Sequence, residues 1–410
     1  MSADFHAYGG AMILVTRLPA RYARSLAIGF SLAAPVNAST EFESTPGLAT
    51  INAHYAYARG LDGRGQALGM LDSGVHLEHP ELAGRVVGLI MRGRDKAGNP
   101  CQSSRYLSGD KACILTDGRP SVAYSELSPP AGSAGQQPEA ILVFDEHGTH
   151  VAGTMIAARD GKGVQGVAPE AKLFSVNIGS HVYTPLGPTG SPMVEKRQRV
   201  AYTPDALEHA FAGLRRANLR AINHSWGFKD GPAKSMPFID AQFKNHAAEI
   251  KPIADAALDS GAIQVWAAGN ENGAMADVLA SLPHYIPALQ PSWLSVVSAS
   301  ADGKLDGFSS RCGASRQWCI AAPGNNILST VINGVPVAKL VREQGRIVGI
   351  DVAAQQRPVS DYAKESGTSM AAPHVTASLA LLMQRFPYLN NAGIRDVLLT
   401  TARDLGAPGV

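Results

Sequence analysis

Long apolar runs are missing from this chain. None approaches the roughly 20 residues that a membrane-spanning helix needs. A charge excess is missing too. Lys and Arg number 36 against 34 Asp and Glu, a net +2, which argues against a broad polyanion-binding surface and against nucleic acid as a partner. Cysteine is scarce: four residues, in two close pairs, Cys101/Cys113 and Cys312/Cys319. Neither pair has the C-x-x-C spacing of a zinc or redox site. They read as two local disulfides formed in an oxidising compartment, with four free thiols in a cytosolic protein as the alternative. No H-E-x-x-H occurs, so a zinc metalloprotease is unsupported and no metal is expected. There is no internal repeat. What is abundant is Gly, 42, and Pro, 26, which indicates many turns rather than a helical bundle. A length of 410 residues allows two or three domains or one large α/β domain, and 45% hydrophobic residues can build a substantial core.

The N-terminus carries Arg21 and Arg24 ahead of the apolar run 26–34, with small residues at Val36-Asn37-Ala38. This predicts a signal peptide within residues 1–38, cut after Ala38, behind an N-terminal extension; Met12 is an alternative start. The other reading is an amphipathic surface segment. Residues 39–60 form a short lead-in, helical around Ile51 to Arg59.

From there, strand and helix alternate, which predicts a parallel sheet covered on both faces. The run from Gln66 ends at Asp72, followed by Ser73-Gly74: a buried strand with an acid at its C-terminal edge, where α/β sheets place functional groups. Residues 91–140 read as a surface insertion, with further insertions near 179–203 and 331–362. His147-Gly148-Thr149-His150 opens a helix. Gly161-Lys162-Gly163-Val164-Gln165-Gly166 fits a dinucleotide-loop pattern, but its helix precedes and its strand follows, so it is a glycine turn. Later strands end at Ser225-Trp226-Gly227 and at Ala267-Ala268-Gly269-Asn270, and one long helix is expected around Ile239 to Ser260. Gly367-Thr368-Ser369-Met370 leads into an alanine-rich helix that begins at or near Ser369, a position suited to an N-cap or to a nucleophile beside unpaired N–H groups.

An Asp at a strand end, with a His and a Ser at two helix starts, is a set suited to acyl transfer. A serine hydroxyl is a weak nucleophile until a base takes its proton, and a buried carboxylate fixes the tautomer of that base. The oxyanion then needs donors. The Asn270 amide and the Ser369 backbone N–H are candidates.

With these stretches the chain resembles the subtilisin-like serine proteases. Asp72-Ser73-Gly74, His147 to Gly153 and Gly367 to Pro373 match the three signatures of that family, in its order Asp, His, Ser, and Ala267 to Asn270 matches its oxyanion strand. The likeness spans roughly residues 51–410. It implies an α/β fold of three layers, a mostly parallel central sheet with helices on both faces, over one peptidase domain, 61–410. It also implies a serine endopeptidase with Asp72 orienting, His147 as base, Ser369 as nucleophile and Asn270 as oxyanion donor. His150 and His374 are then structural. Ser225, Trp226 and Gly227 match one wall of the primary pocket, and Ala267, Ala268 and Gly269 the other. The expected ligand is an extended polypeptide paired with the first wall. A looser likeness, at Ala53 to Gly60 and at Phe308 to Gly324, is to passenger domains of bacterial autotransporters. It implies export to the cell surface and a possible outer-membrane translocator in a longer chain. A monomer is expected.

The family's usual segment after the serine helices is missing before Val410, so a fragment or truncated product is expected. The alternative function is a catalytically silent passenger that binds rather than cleaves. No cofactor is required. Glu81 matches a position that binds calcium in relatives, but the loop from Asp160 to Gly163 is short, and no calcium site is expected. An α/β-hydrolase needs Asp and His after the serine; only His374 follows, in the same helix, so that reading fails.

Overall fold

Seven short apolar runs pair side by side in parallel. They are β1 (Ala67–Asp72), β2 (Val86–Leu89), β3 (Lys172–Asn177), β4 (Ala221–His224), β5 (Ile263–Ala267), β6 (Trp293–Ser298) and β7 (Cys319–Ala322). In this computed structural model they form one sheet in the order β2-β3-β1-β4-β5-β6-β7. The structure describes residues 40–405 except 96, 103–104, 108–110, 121, 128–138, 179–180, 185–194, 200–202, 229–230, 333–334, 344–345 and 358–360. The predicted signal peptide lies outside the described residues.

The alternation of strand side chains splits the core in two. Leu68 and Met70 of β1, with Val265 and Val296, face one layer, built from helices α1 (His147–Ile156), α4 (Thr368–Arg385) and α5 (Asn391–Thr401). Leu71, Ile222, Trp266 and Trp293 face the other, built from α2 (Pro204–Arg216) and α3 (Ala247–Ser260). A sheet apolar on both faces needs a helix layer on each, so the α/β three-layer expectation holds. β1 lies inside the sheet with β3 on one side and β4 on the other. The chain therefore reverses direction across the sheet at β1, the place where α/β sheets open a crevice beyond their strand ends.

The expected long helix is two. Met236–Asn245 and α3 are separated by His246, whose φ of −105° and ψ of 20° leave the helical region. Two of the expected insertions meet in space: Val122–Leu127 pairs with Glu139–Phe144, which pairs with Val335–Glu343, which pairs with Arg346–Arg357, all antiparallel. An antiparallel pair, β8 (Ile327–Thr330) with β9 (Tyr362–Glu365), leads into α4. Residues 40–57 form three short helices that place Leu48 and Ala53 in the core. Cys312 and Cys319 are disulfide-bonded. Cys101 is also in a disulfide; the side chain of Cys113 lies outside the described residues.

Candidate active site

β1 ends in Asp72, whose side chain is 2% exposed. Its Oδ1 takes two donors, the Ser73 backbone N–H at 2.7 Å and His147 Nδ1 at 2.7 Å. A carboxylate receiving Nδ1–H fixes the tautomer and leaves Nε2 as the basic nitrogen. His147 opens α1, and that helix end comes close because residue 148 is glycine. A Cβ there would stand 2.3 Å from the Gly74 carbonyl oxygen and 3.1 Å from Asp72 Oδ1. The Ser73 hydroxyl accepts the Gly148 N–H at 2.9 Å, which uses one of the helix's unpaired N-terminal donors.

Leu71 of β1 is paired in register with His224 of β4. The next residues, Asp72 at the end of β1 and Ser225 just past the end of β4, therefore stand side by side, and Ser225 anchors the start of α4. Its hydroxyl donates to the Ser369 carbonyl at 2.7 Å. That carbonyl is available because Pro373, four residues on, has no N–H to give it. The Ser369 hydroxyl donates back to the Ser225 carbonyl at 3.2 Å. Behind Ser225, Asn223 donates to its hydroxyl at 2.9 Å and accepts from Thr376 at 2.9 Å. Ser369 is thus placed by polar bonds to β4. Among the described residues no hydrogen bond joins Ser369 to His147; a resting hydroxyl parked on a neighbouring carbonyl is common before substrate arrives.

The stretch after β5 supplies the third part. Asn270 is exposed, and its side-chain Oδ1 accepts from the Thr368 backbone N–H at 2.8 Å and from the Thr368 hydroxyl at 2.9 Å. With its oxygen tied to α4, the amide offers its Nδ2 donors on the other side. Gly269 N–H donates to the same Thr368 hydroxyl at 3.1 Å. Gly269 has a φ of +108°, a conformation that only glycine adopts without strain. Trp226, two residues past the end of β4, packs edge-on against buried Trp266 at 5.1 Å between ring centres.

Charge around His147 is lopsided. Burial opposes protonation of its ring, but the Asp72 carboxylate, its hydrogen bond, Glu365 and Asp145 outweigh burial and push His147 up to about 9. Glu365, half-buried on β9, is itself pushed up to about 7 by burial, against the pull of His147 and with Glu146, Asp72 and Asp145 adding to the rise. The other histidines sit differently. His150 is fully buried, its Nε2 against the carbonyls of Ile327 at 2.9 Å and Ala363 at 3.2 Å, and burial holds it down at about 4. His374 contacts the Met370 carbonyl through Nδ1 at 2.8 Å and is held at about 4 by burial. Glu81 accepts the Tyr362 hydroxyl. Among the described residues no group of three or more His, Cys, Asp or Glu could hold a metal ion.

The family model named Subtilase family matches residues 63–410. The chain belongs to the subtilase family. An extracellular serine protease of Serratia marcescens is 28% identical over 410 residues, covering 91% of this chain and 32% of that protein. The serotype-specific antigen 1 of Mannheimia haemolytica is 36% identical over 196 residues, covering 47% of this chain and 19% of that protein. This subtilase therefore spans a third or less of those two relatives. Subtilisin E of Bacillus subtilis is 27% identical over 365 residues, 89% of this chain and 68% of that protein. Two solved structures share the fold. One is the prenylagaramide maturation protease PagA, with a TM-score of 0.51 and 18% identity over 86% of this chain and 88% of that one. The other is a protease of Pseudoalteromonas arctica PAMC 21717, with a TM-score of 0.51 and 21% identity over 85% of this chain and 86% of that one.

Sequence reading named Asp72, His147, Ser369 and Asn270 but not the residues that hold them. Asn223, Thr376 and Glu365 are single polar residues with no spacing signal of their own, and Thr368 lay inside the Gly367 to Pro373 signature without its bond to Asn270 being legible. The nearest clue was position: Asn223 lies in the last two residues of β4, beside the strand that ends at Asp72.

Proposed function

We propose that this subtilase is an exported serine endopeptidase working through an acyl-enzyme. The reading is carried by the Asp72–His147 pair at 2.7 Å, at the end of the strand beside the one that anchors Ser369. Substrate binding turns the Ser369 hydroxyl from the Ser225 carbonyl toward His147 Nε2. The imidazole takes the proton as the oxygen attacks the peptide carbonyl, and buried Asp72 stabilises the imidazolium. The carbonyl oxygen becomes an anion and is met by the Asn270 amide and the Ser369 N–H. His147 returns the proton to the leaving amine, and water repeats the sequence on the ester. An extended peptide paired with Ser225, Trp226 and Gly227 is the substrate. Export is supported by the disulfides and by the extracellular relative. A translocator in a longer chain fits the same route.

The test is covalent labelling with a fluorophosphonate probe, beside Ser369→Ala. The wild type labels and hydrolyses peptides, while Ser369→Ala does neither and keeps its circular-dichroism spectrum and melting profile. Equal hydrolysis by both proteins would refute the mechanism.

A further inference from the structure

The loop that carries Asn270, Gly269 to Gly273, is neither strand nor helix. Its φ is +108° at Gly269 and +50° at Asn272, so the chain leaves the regular regions on both sides of Asn270. Backbone of that kind cannot use a ladder of its own, so its position is set by what its polar groups are tied to. Thr368 ties one side. Phe308 to Arg311 ties the other, with bonds that bracket Asn270. Ahead of it, the Ser310 N–H donates to the Gly269 carbonyl at 2.9 Å. Behind it, the Asn272 N–H donates to the Phe308 carbonyl at 2.8 Å, and the Arg311 N–H to the Gly273 carbonyl at 2.9 Å. The Gly273 N–H donates to the hydroxyl oxygen of Ser310 at 3.2 Å. That hydroxyl is buried, and it lies 3.1 Å from where a Gly269 Cβ would be, so one side chain touches both ends of the loop.

This brace is an irregular segment too, and it is anchored twice. The Ser309 hydroxyl accepts the Ser298 N–H at 3.0 Å, at the end of β6, and donates to the Ser310 carbonyl at 3.0 Å. On its other side Cys312 is disulfide-bonded to Cys319, the first residue of β7, which is paired in register with Ser295 of β6. The segment beside the Asn270 loop is therefore fixed to the sheet by a polar bond at one end and a covalent bond at the other.

Resting on the protease reading above, we propose that Ser310 and the Cys312–Cys319 disulfide are positioning elements for the oxyanion donor, holding the Asn270 amide where negative charge develops. A donor aimed in advance needs no reordering as the carbonyl oxygen becomes an anion, and the uncharged carbonyl of bound substrate gains little from it. Loosening the brace therefore slows turnover and leaves substrate binding nearly unchanged. The cysteine pair acts on the chemistry from a distance, by way of the segment it staples.

The experiment is steady-state kinetics on one peptide substrate for Ser310→Ala and for the double variant Cys312→Ala/Cys319→Ala, each made in the wild type and in Asn270→Ala. Fluorophosphonate labelling of the wild type is run alongside, and melting profiles show which variants are folded. Ser310→Ala is expected to lower kcat by about tenfold with KM little changed, and the cysteine variant to do the same. In the Asn270→Ala background each change is expected to cost less than about twofold, because the donor it positions is gone. A cysteine variant that does not fold leaves Ser310→Ala to decide. A folded Ser310→Ala that keeps the wild-type kcat, that changes KM alone, or that loses as much in the Asn270→Ala background, overturns this inference and leaves the protease reading intact. A folded wild type that does not label overturns both, and an Asn270→Ala that keeps the wild-type kcat removes the donor role of Asn270 and this inference with it.

Discussion

In the proposed mechanism His147 does two jobs that pull its protonation in opposite directions. It must be neutral to take the serine proton, yet Asp72, Glu365 and Asp145 all favour its cation and hold it at about 9. In the free enzyme the fraction able to act as base therefore grows until the pH passes that value. The expected profile of kcat/KM is low at neutral pH and rises through about pH 9. The sign for a neighbour follows. Removing a negative group destabilises the imidazolium, so Glu365→Gln lowers the pKa of His147 and moves the rise to lower pH. The shift is modest, since Asp72 is the larger influence. A profile for Glu365→Gln that is unmoved, or moved upward, would show that Glu365 does not act on His147. Asn270 is the simpler case. In that mechanism Asn270→Ala removes one oxyanion donor and is expected to lower kcat by about 10²–10³ with KM nearly unchanged, measured by steady-state kinetics on one peptide.

At the scale of elements, the site is the meeting of three element ends, and Thr368 ties two of them. Its hydroxyl donates to Asn270 Oδ1 and accepts from Gly269 N–H, so the start of α4 holds the stretch after β5. Thr368→Val keeps the shape and the backbone bond to Asn270 but drops both hydroxyl bonds. The expected result is a fall in kcat of about tenfold with KM little changed, because the amide is less firmly aimed and the donor itself remains. A loss confined to KM would mean that Thr368 shapes the pocket instead of the oxyanion donor. This coupling also marks what could be read from the sequence. Strands β1, β3, β4 and β5 were legible because buried parallel strands are short apolar runs, and the site residues because they stand where such runs stop. The bond between Thr368 and Asn270 joins positions 98 residues apart and leaves no local pattern. The same holds for the sheet shared by Glu139–Phe144 and Val335–Glu343, where each insertion looks like an isolated loop until both are placed. The break at His246 was hidden for a different reason: apolar residues lie on both sides of it, so the helical period runs through.

At the scale of the whole molecule, residues 40–57 act as a strap over the layer that carries both candidate catalytic helices. Leu48 is 1% exposed and shares a core with Val151 and Met155 of α1 and with Met370 and Val375 of α4. Polar bonds fasten the strap at several points. Glu41 accepts the N–H groups of Gly161 and Lys162 at 2.7 and 3.0 Å, the Ser44 hydroxyl donates to the Gly163 carbonyl at 2.8 Å, and the Tyr57 hydroxyl donates to the Val167 carbonyl at 2.8 Å. Gly47 lies so near His374 that a Cβ there would stand 2.4 Å from its Nε2, so the strap and the serine helix are in direct contact. Deleting a buried leucine side chain in such a place loses its transfer free energy and leaves a cavity that close-packed neighbours fill only in part. Leu48→Ala is therefore expected to lower unfolding stability by about 2–5 kcal/mol, read as a lower urea midpoint at an unchanged m-value. Ser369 is held by bonds to Ser225 just past the end of β4, not by the strap, so the folded fraction of Leu48→Ala should still label with fluorophosphonate at the wild-type rate. A stability loss below about 1 kcal/mol would mean that the strap lies loosely on the core. A labelling rate that falls while the fold persists would mean that the strap also sets the position of the serine.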